Sequence, residues 1–300
     1  MKVRRATMRD VARASGVSPA TVSFVMNDAP DQTISEATRD RVRQAAADLG
    51  YRAHPIARAL REGASRVVVL DVGGLPRDRV LERFVDGLEE ELGAAGYALL
   101  VSYSRRSRRA SIDAVGPRAV IDLAALYTRP GAIADGGWVD GMASHYLTQI
   151  EFLRQLGHRD VAVAVPARPD RFMRLMADYV RRAAEALGLP EPATLPVGGE
   201  TATLAAVREQ LGRVTAVAAL TDSLALAVLA AMADAGASCP GDLAVIGWGD
   251  SAEAARWRPP LTSVRVDAAT YGRRLARRAL DLPADDTKPA ATRVIRRATT

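Results

Sequence analysis

The sequence predicts an α/β protein in which a small all-helical N-terminal domain precedes a larger, doubly wound core of parallel strands. Three observations carry this. In the first fifty positions apolar residues recur at three- and four-residue spacing around glycines, the period of short amphipathic helices. From Arg66 onward, short aliphatic runs alternate with helical stretches, as in strand-helix-strand units with right-handed crossovers. The length of 300 residues and 48% hydrophobic content allow both parts to bury a core.

Thr7 is placed to cap a first helix whose Met8, Val11, Ala12 and Ala14 form one stripe. Gly16 ends that helix, because glycine takes a left-handed turn at little cost. Ser18 then caps, and Pro19 pre-sets, the first turn of a second helix that buries Val22, Val25 and Met26. Pro19, Ala20, Thr21, Ser23 and Phe24 are left on or near its free face. The spacing is that of a helix-turn-helix, whose second helix enters the DNA major groove. Two short helices around a glycine also occur where no nucleic acid is bound, so the pattern alone leaves both readings open. After a polar loop, Ser35 caps a third helix whose Ala37, Val42, Ala45, Ala46 and Leu49 close the small core. Gly50 ends it and Tyr51 packs beneath.

Charge is distributed unevenly. Residues 1–62 hold 11 Lys/Arg against 7 Asp/Glu, a net of +4, while the remaining 30 against 28 give +2. Excess positive charge on the small domain favours phosphate contact and salt-dependent binding. The single cysteine, Cys239, excludes an internal disulfide and fits a reducing cytoplasm. No run of about 20 apolar residues suggests a membrane span, and the basic N-terminus has no apolar stretch suited to a signal peptide.

Residues 52–62 form a linker in which Pro55 suits the first turn of a helix too short to persist unless docked. In the core, strands are expected at 67–70, 97–101, 119–123, 161–165, 194–197, 215–220 and 243–247, with a closing strand from Arg293. Helices are expected at 79–92, 141–155, 172–187, 201–211 and 223–235. Gly73-Gly74 lacks the rest of a dinucleotide fingerprint, and the four arginines within 104–111 read as a solvated basic loop. His54, His145 and His158 are scattered, Cys239 has no partner, and neither metal-ligand spacing nor a nucleophile motif occurs. An enzyme is therefore disfavoured, and no cofactor is expected.

The run Arg9 to Asn27, followed by Gly50-Tyr51 and Ala57-Arg58-Ala59-Leu60, resembles the headpiece of lactose-repressor (LacI) family transcription regulators nearly residue for residue. Thr221-Asp222-Ser223, the stretch from Pro240 to Ser251, and Pro259 to Val266 resemble segments of that family's core. The resemblance implies a helix-turn-helix headpiece over 1–52, a hinge helix over 53–62, and a periplasmic-binding-protein-like core over 63–300. The core would have two doubly wound subdomains, one about 63–158 and 264–283, the other about 159–263 and 284–300. It further implies a homodimer on palindromic double-stranded operator DNA, most simply a repressor, controlled by a small-molecule effector such as a sugar or other metabolite.

By the same resemblance Ser18, Thr21, Ser23 and Asn27 would hold phosphates while Pro19, Ala20 and Phe24 face bases, and Thr7 is counted among the DNA-binding residues. These last three are apolar, so they imply contact with thymine methyls and selection by shape. In the hinge, Ala57 would allow close helix approach and Arg58 would face phosphate or groove. His54 stands at a DNA-binding position where the family usually has asparagine, and Leu60 would wedge between base pairs in the minor groove. The core looks short for the family by one strand-helix unit between residue 101 and residue 157, and several sugar contacts are missing. Leu75 stands where an acidic residue often follows the first strand, Gly249 replaces one of a usual acidic pair, and Arg174 is out of register with the family's effector-gripping arginine. Asp71, Arg174, Asp222, Trp248, Asp250 and Trp257 are the candidate effector contacts, with Asp222 equally suited to capping a helix. A degenerate cleft with no effector, and a solute-binding protein sharing the core fold, are the alternatives.

Overall fold

The computed structural model describes residues 6–26, 33–51, 65–73, 75–103, 112, 115–123, 125, 138–283 and 290–300, with 138–142 described by backbone alone. It divides into two units, 1–66 and 67–300.

In the first unit, helix α1 spans Met8–Ser15. The Thr7 hydroxyl accepts from the Asp10 amide at 3.3 Å while the Asp10 carboxylate accepts from the Thr7 amide at 2.9 Å, a reciprocal capping box. Gly16, at φ 67°, ends α1 in the left-handed conformation. Helix α2, Pro19–Met26, follows, with Ser18 Oγ accepting from the Thr21 amide at 3.1 Å. Helix α3 spans Glu36–Asp48, and its N-cap Ser35 uses its hydroxyl on Thr38 Oγ1 at 2.9 Å instead of on an amide. Val11, Ala12, Val22, Val25, Val42, Ala45 and Ala46 make the core. Arg41 Nε donates to Ser15 O at 2.9 Å, tying α3 to the carbonyl end of α1.

Three side chains expected inside lie at the surface: Ala14, Ala37 and Leu49. The stripe of α1 runs through Ser15, buried because its hydroxyl donates back to Val11 O at 2.7 Å. Leu49 stands past the last turn of α3, and Tyr51 packs against the core beneath that end.

The second unit holds two sheets. Strands β1 (Ser65–Asp71), β2 (Ala98–Ser102) and β3 (Pro117–Asp122) form the first in the order β2-β1-β3, with β1 and β2 parallel. Helix α4, Arg79–Ala94, follows β1. Helix α5, Trp138–Gln155, leads into the second sheet: β4 (Val161–Pro166), α6 (Arg171–Ala186), β5 (Ala193–Val197), α7 (Glu200–Gln210), β6 (Ala216–Ala219), α8 (Asp222–Asp234) and β7 (Ala244–Trp248). A short helix α9 (Ala252–Arg256), β8 (Thr262–Arg265), α10 (Ala268–Ala279) and β9 (Arg293–Ile295) complete it. The strand order is β5-β4-β6-β7-β8-β9, parallel except for the antiparallel β8–β9 pair.

Two features differ from the sequence expectation. Helix α5 belongs with the six-stranded sheet: Gln149 Nε2 donates to Ala219 O at 3.0 Å and Gly247 O at 3.1 Å, and Tyr146 Oη donates to Leu220 O at 3.2 Å. The boundary expected near residue 158 therefore follows a helix already packed on the six-stranded sheet. Helix α10 is a further element, packed on α4 through glycines. A Cβ on Gly87 would sit 1.9 Å from the Ala269 carbonyl oxygen, and one on Gly272 would sit 2.1 Å from that of Phe84. The two backbones approach as closely as they do because neither crossing residue has a side chain.

Candidate functional site

The first site is the free face of α2. Val22 and Val25 are buried, which fixes the helix rotation and leaves Ser18, Pro19, Ala20 and Phe24 exposed, the Phe24 ring at 37%. Thr21 and Ser23 are half-buried beside them. The Ser18 and Thr21 hydroxyls lie 2.9 Å apart over the first turn, where helix amides point outward and the helix dipole favours an anion. Thr7 is exposed, with its hydroxyl 2.6 Å from Asp10 Oδ2. Asn27, His54, Ala57, Arg58 and Leu60, and with them the hinge helix, lie outside the described residues.

The second site is a narrow cleft, enclosing about 30 Å³, at the carboxyl ends of β1, β6 and β7, where ligands of open α/β sheets bind. Leu75, Asp78, Val80 and Phe84 come from the β1 side, Phe172, Met173 and Met176 from α6, and Tyr146, Thr221 and Trp248 from the six-stranded side. Trp248 is buried and stacks on Tyr146, ring centroids 5.7 Å apart and planes 17° apart, with its indole Nε1 unpartnered. Asp78 caps α4 by accepting from the Leu81 amide at 3.0 Å. Burial nevertheless pushes its carboxyl up to about 6, against the pull of the Leu81 and Val80 amides. Behind Trp248, His145 is almost fully buried with Nδ1 unpartnered, and burial pushes it down to about 4.

Of the six effector candidates, only Trp248 lines this cleft. Asp222 is buried and used within the protein: Oδ2 accepts from the Ser251 amide and Oδ1 from the Ser263 hydroxyl, each at 2.6 Å. Thr221, not Asp222, caps α8. Desolvation raises the Asp222 carboxyl despite these bonds. Asp250, at φ 50°, accepts from Arg265 and Arg297, both at 2.5 Å, in a separate basic depression shared with Arg79 and Arg83. Asp71 is buried, accepting from the Gly73 amide at 3.0 Å. Arg174 is exposed and donates to Pro169 O, and Trp257 is 37% exposed at the end of α9. Asp78, Tyr146 and Phe172, which line the cleft, are not among the residues singled out from the sequence.

Residues 7–54 match the bacterial regulatory proteins of the lacI family, and residues 150–300 match a periplasmic binding protein-like domain. The HTH-type transcriptional regulator GalR of Escherichia coli (strain K12) is 29% identical over 96% of this chain and 92% of its own length. The lac repressor dimer bound to operator and the anti-inducer ONPF shares the fold at 19% identity, covering 99% of each chain with a TM-score of 0.75. A complex of the transcriptional regulator CelR with cellobiose superposes with a TM-score of 0.61 at 23% identity, over 99% of this chain and 100% of that one. With a headpiece of the first kind joined to a core of the second on one chain, the protein belongs to the lacI family of bacterial regulatory proteins.

Proposed function

We propose that the protein is a sequence-specific DNA-binding transcription regulator, acting in the cytoplasm as a homodimeric repressor on a palindromic operator and controlled by a small molecule in the core cleft. The observation that carries this reading is the exposed Ser18, Pro19, Ala20 and Phe24 surface on the second helix of a helix-turn-helix. In this reading Ser18, Thr21 and Ser23, with Thr7 and Asn27, hold phosphates and set the helix in the groove. Pro19, Ala20 and Phe24 meet bases, and as apolar groups they select thymine methyls and groove shape. Residues 53–62 supply paired hinge helices in the minor groove, Leu60 wedging between base pairs, with His54, Ala57 and Arg58 beside it.

Ligand in the core changes the relative angle of its two subdomains and so the spacing of the hinges, a coupling of about 1–3 kcal/mol in typical regulators. The regulator reading is tested by selecting duplexes from a random pool with the full chain. An inverted repeat, bound with affinity that falls steeply with added salt, is the expected result. No enrichment at moderate ionic strength, from a protein that stays monomeric, rejects it.

A further inference from the structure

We propose that the basic depression beside Asp250 binds a small phosphate monoester, its phosphoryl group held by the guanidiniums of Arg79, Arg83 and Arg265. The site is separate from the cleft beside Trp248, and the inference stands whether or not the chain regulates transcription.

The depression encloses about 490 Å³, within the range of about 300–1,000 Å³ that small-molecule sites span. Three parts of the chain supply its arginines. Arg79 and Arg83 lie one turn apart on α4, Arg265 ends β8, and Arg297 follows β9. Two acids share the lining, Asp250 and Asp267, so four positive charges stand against two negative and leave a net of +2.

Both acids are already committed. Asp267 accepts from the Ala290 amide at 2.8 Å and from the Thr270 amide at 3.3 Å. Asp250 is one buried carboxylate between two guanidiniums, those of Arg265 and Arg297. Arg297 is turned inward and also donates to Leu261 O at 2.6 Å, whereas the Arg265 side chain stays 46% exposed. Arg79 and Arg83 are tied more loosely. Arg79 lies 3.8 Å from Glu82 and Arg83 lies 3.9 Å from Asp86, beyond hydrogen-bond reach, and both acids are largely exposed. Exposed ion pairs at such separations hold a side chain weakly, so these guanidiniums keep N–H groups for another acceptor.

An oxyanion in the depression offsets the repulsion among like charges and takes charge-assisted hydrogen bonds from donors that the fold leaves unused. A phosphoryl group suits the arrangement better than a carboxylate. Its three terminal oxygens point in different directions, as donors from two α4 side chains and one strand end require, whereas a carboxylate has two oxygens in one plane. A neutral sugar leaves the net charge unanswered. The remaining wall, with Ala252, Ala255, Val266 and Ala268, is small and apolar and leaves room for the organic body of an ester.

The test is calorimetric titration of the full chain in phosphate-free buffer at pH 7.5, where a monoester, with its second pKa about 6, is mostly a dianion. Glucose 6-phosphate and glycerol 3-phosphate are compared with glucose, glycerol and succinate. At least one ester is expected to bind saturably at one site per chain, at least tenfold more tightly than its parent alcohol or succinate, and to be displaced by inorganic phosphate. Arg79→Gln and Arg83→Gln should each weaken that binding at least fivefold. Arg208→Gln, which removes the same charge from an exposed position on α7 outside the depression, should leave it unchanged. No saturable binding of either ester, succinate binding as tightly, or equal effects of the Arg208 and α4 substitutions overturns the assignment. The comparison of ester with alcohol on the unaltered chain decides the matter even if a variant fails to fold.

Discussion

Replacing Asp222 with alanine tests whether this carboxylate builds the core or serves a ligand. The substitution removes two hydrogen bonds of 2.6 Å to a charged acceptor and strands the Ser251 amide and the Ser263 hydroxyl, a residue on β8 that is fully buried. Hydrogen bonds to charged groups are each worth about 1.5–3 kcal/mol, so the gross loss is about 3–6 kcal/mol. Part of that returns because burial raises the Asp222 carboxyl, meaning that the charge itself is costly there. The net expectation is a destabilisation of about 2–4 kcal/mol in urea unfolding of the full chain. Asp222→Asn should cost about 1 kcal/mol, since Oδ1 can accept from Ser251 and the amide can donate to the Ser263 hydroxyl, which rotates to accept. An alanine variant within 0.5 kcal/mol of the parent, yet deaf to a ligand the parent binds, would refute the structural role and return Asp222 to the effector site.

Other expectations follow from packing and titration. Gly87→Ala drives a methyl into the Ala269 carbonyl on α10, so the helices must separate. A loss of at least about 2 kcal/mol, or a Tm lower by about 5 °C in calorimetry, is expected. His145 is held near 4 against 6.5 when free, so the unfolded chain takes up its proton first. Stability from this group is present above pH 6.5 and lost as pH falls toward 4, about 3 kcal/mol in all at 1.36 kcal/mol per unit. Urea unfolding at pH 7.5 and 4.5 should show His145→Gln losing less on acidification than the parent; equal losses would contradict it.

Much of the fold was legible because its punctuation is local. Thr7, Gly16, Ser18 and Gly50 each act on backbone groups within a few residues, so helix ends in the first unit follow from the sequence. The strands of the six-stranded sheet are equally plain, as continuous runs such as Val161 to Val165 and Leu243 to Gly247 buried on both faces. Helix α10 was harder to see because its buried face is Ala268, Thr270, Gly272 and Ala276. Small residues there serve close approach and give no aliphatic stripe. At the cleft, identity was legible and use was not. Asp222 and Asp250 are acids near strand ends, but whether they face a ligand depends on Ser263, Arg265 and Arg297, far along the chain.

Whether the exposed face of α2 reads duplex DNA is decided by repeating the duplex selection with Phe24→Arg beside the unaltered chain. Both chains should recover an inverted repeat of equal half-site spacing but different bases, arginine shifting preference toward guanine at the position Phe24 faces. Recovery of one identical consensus by both chains would contradict it.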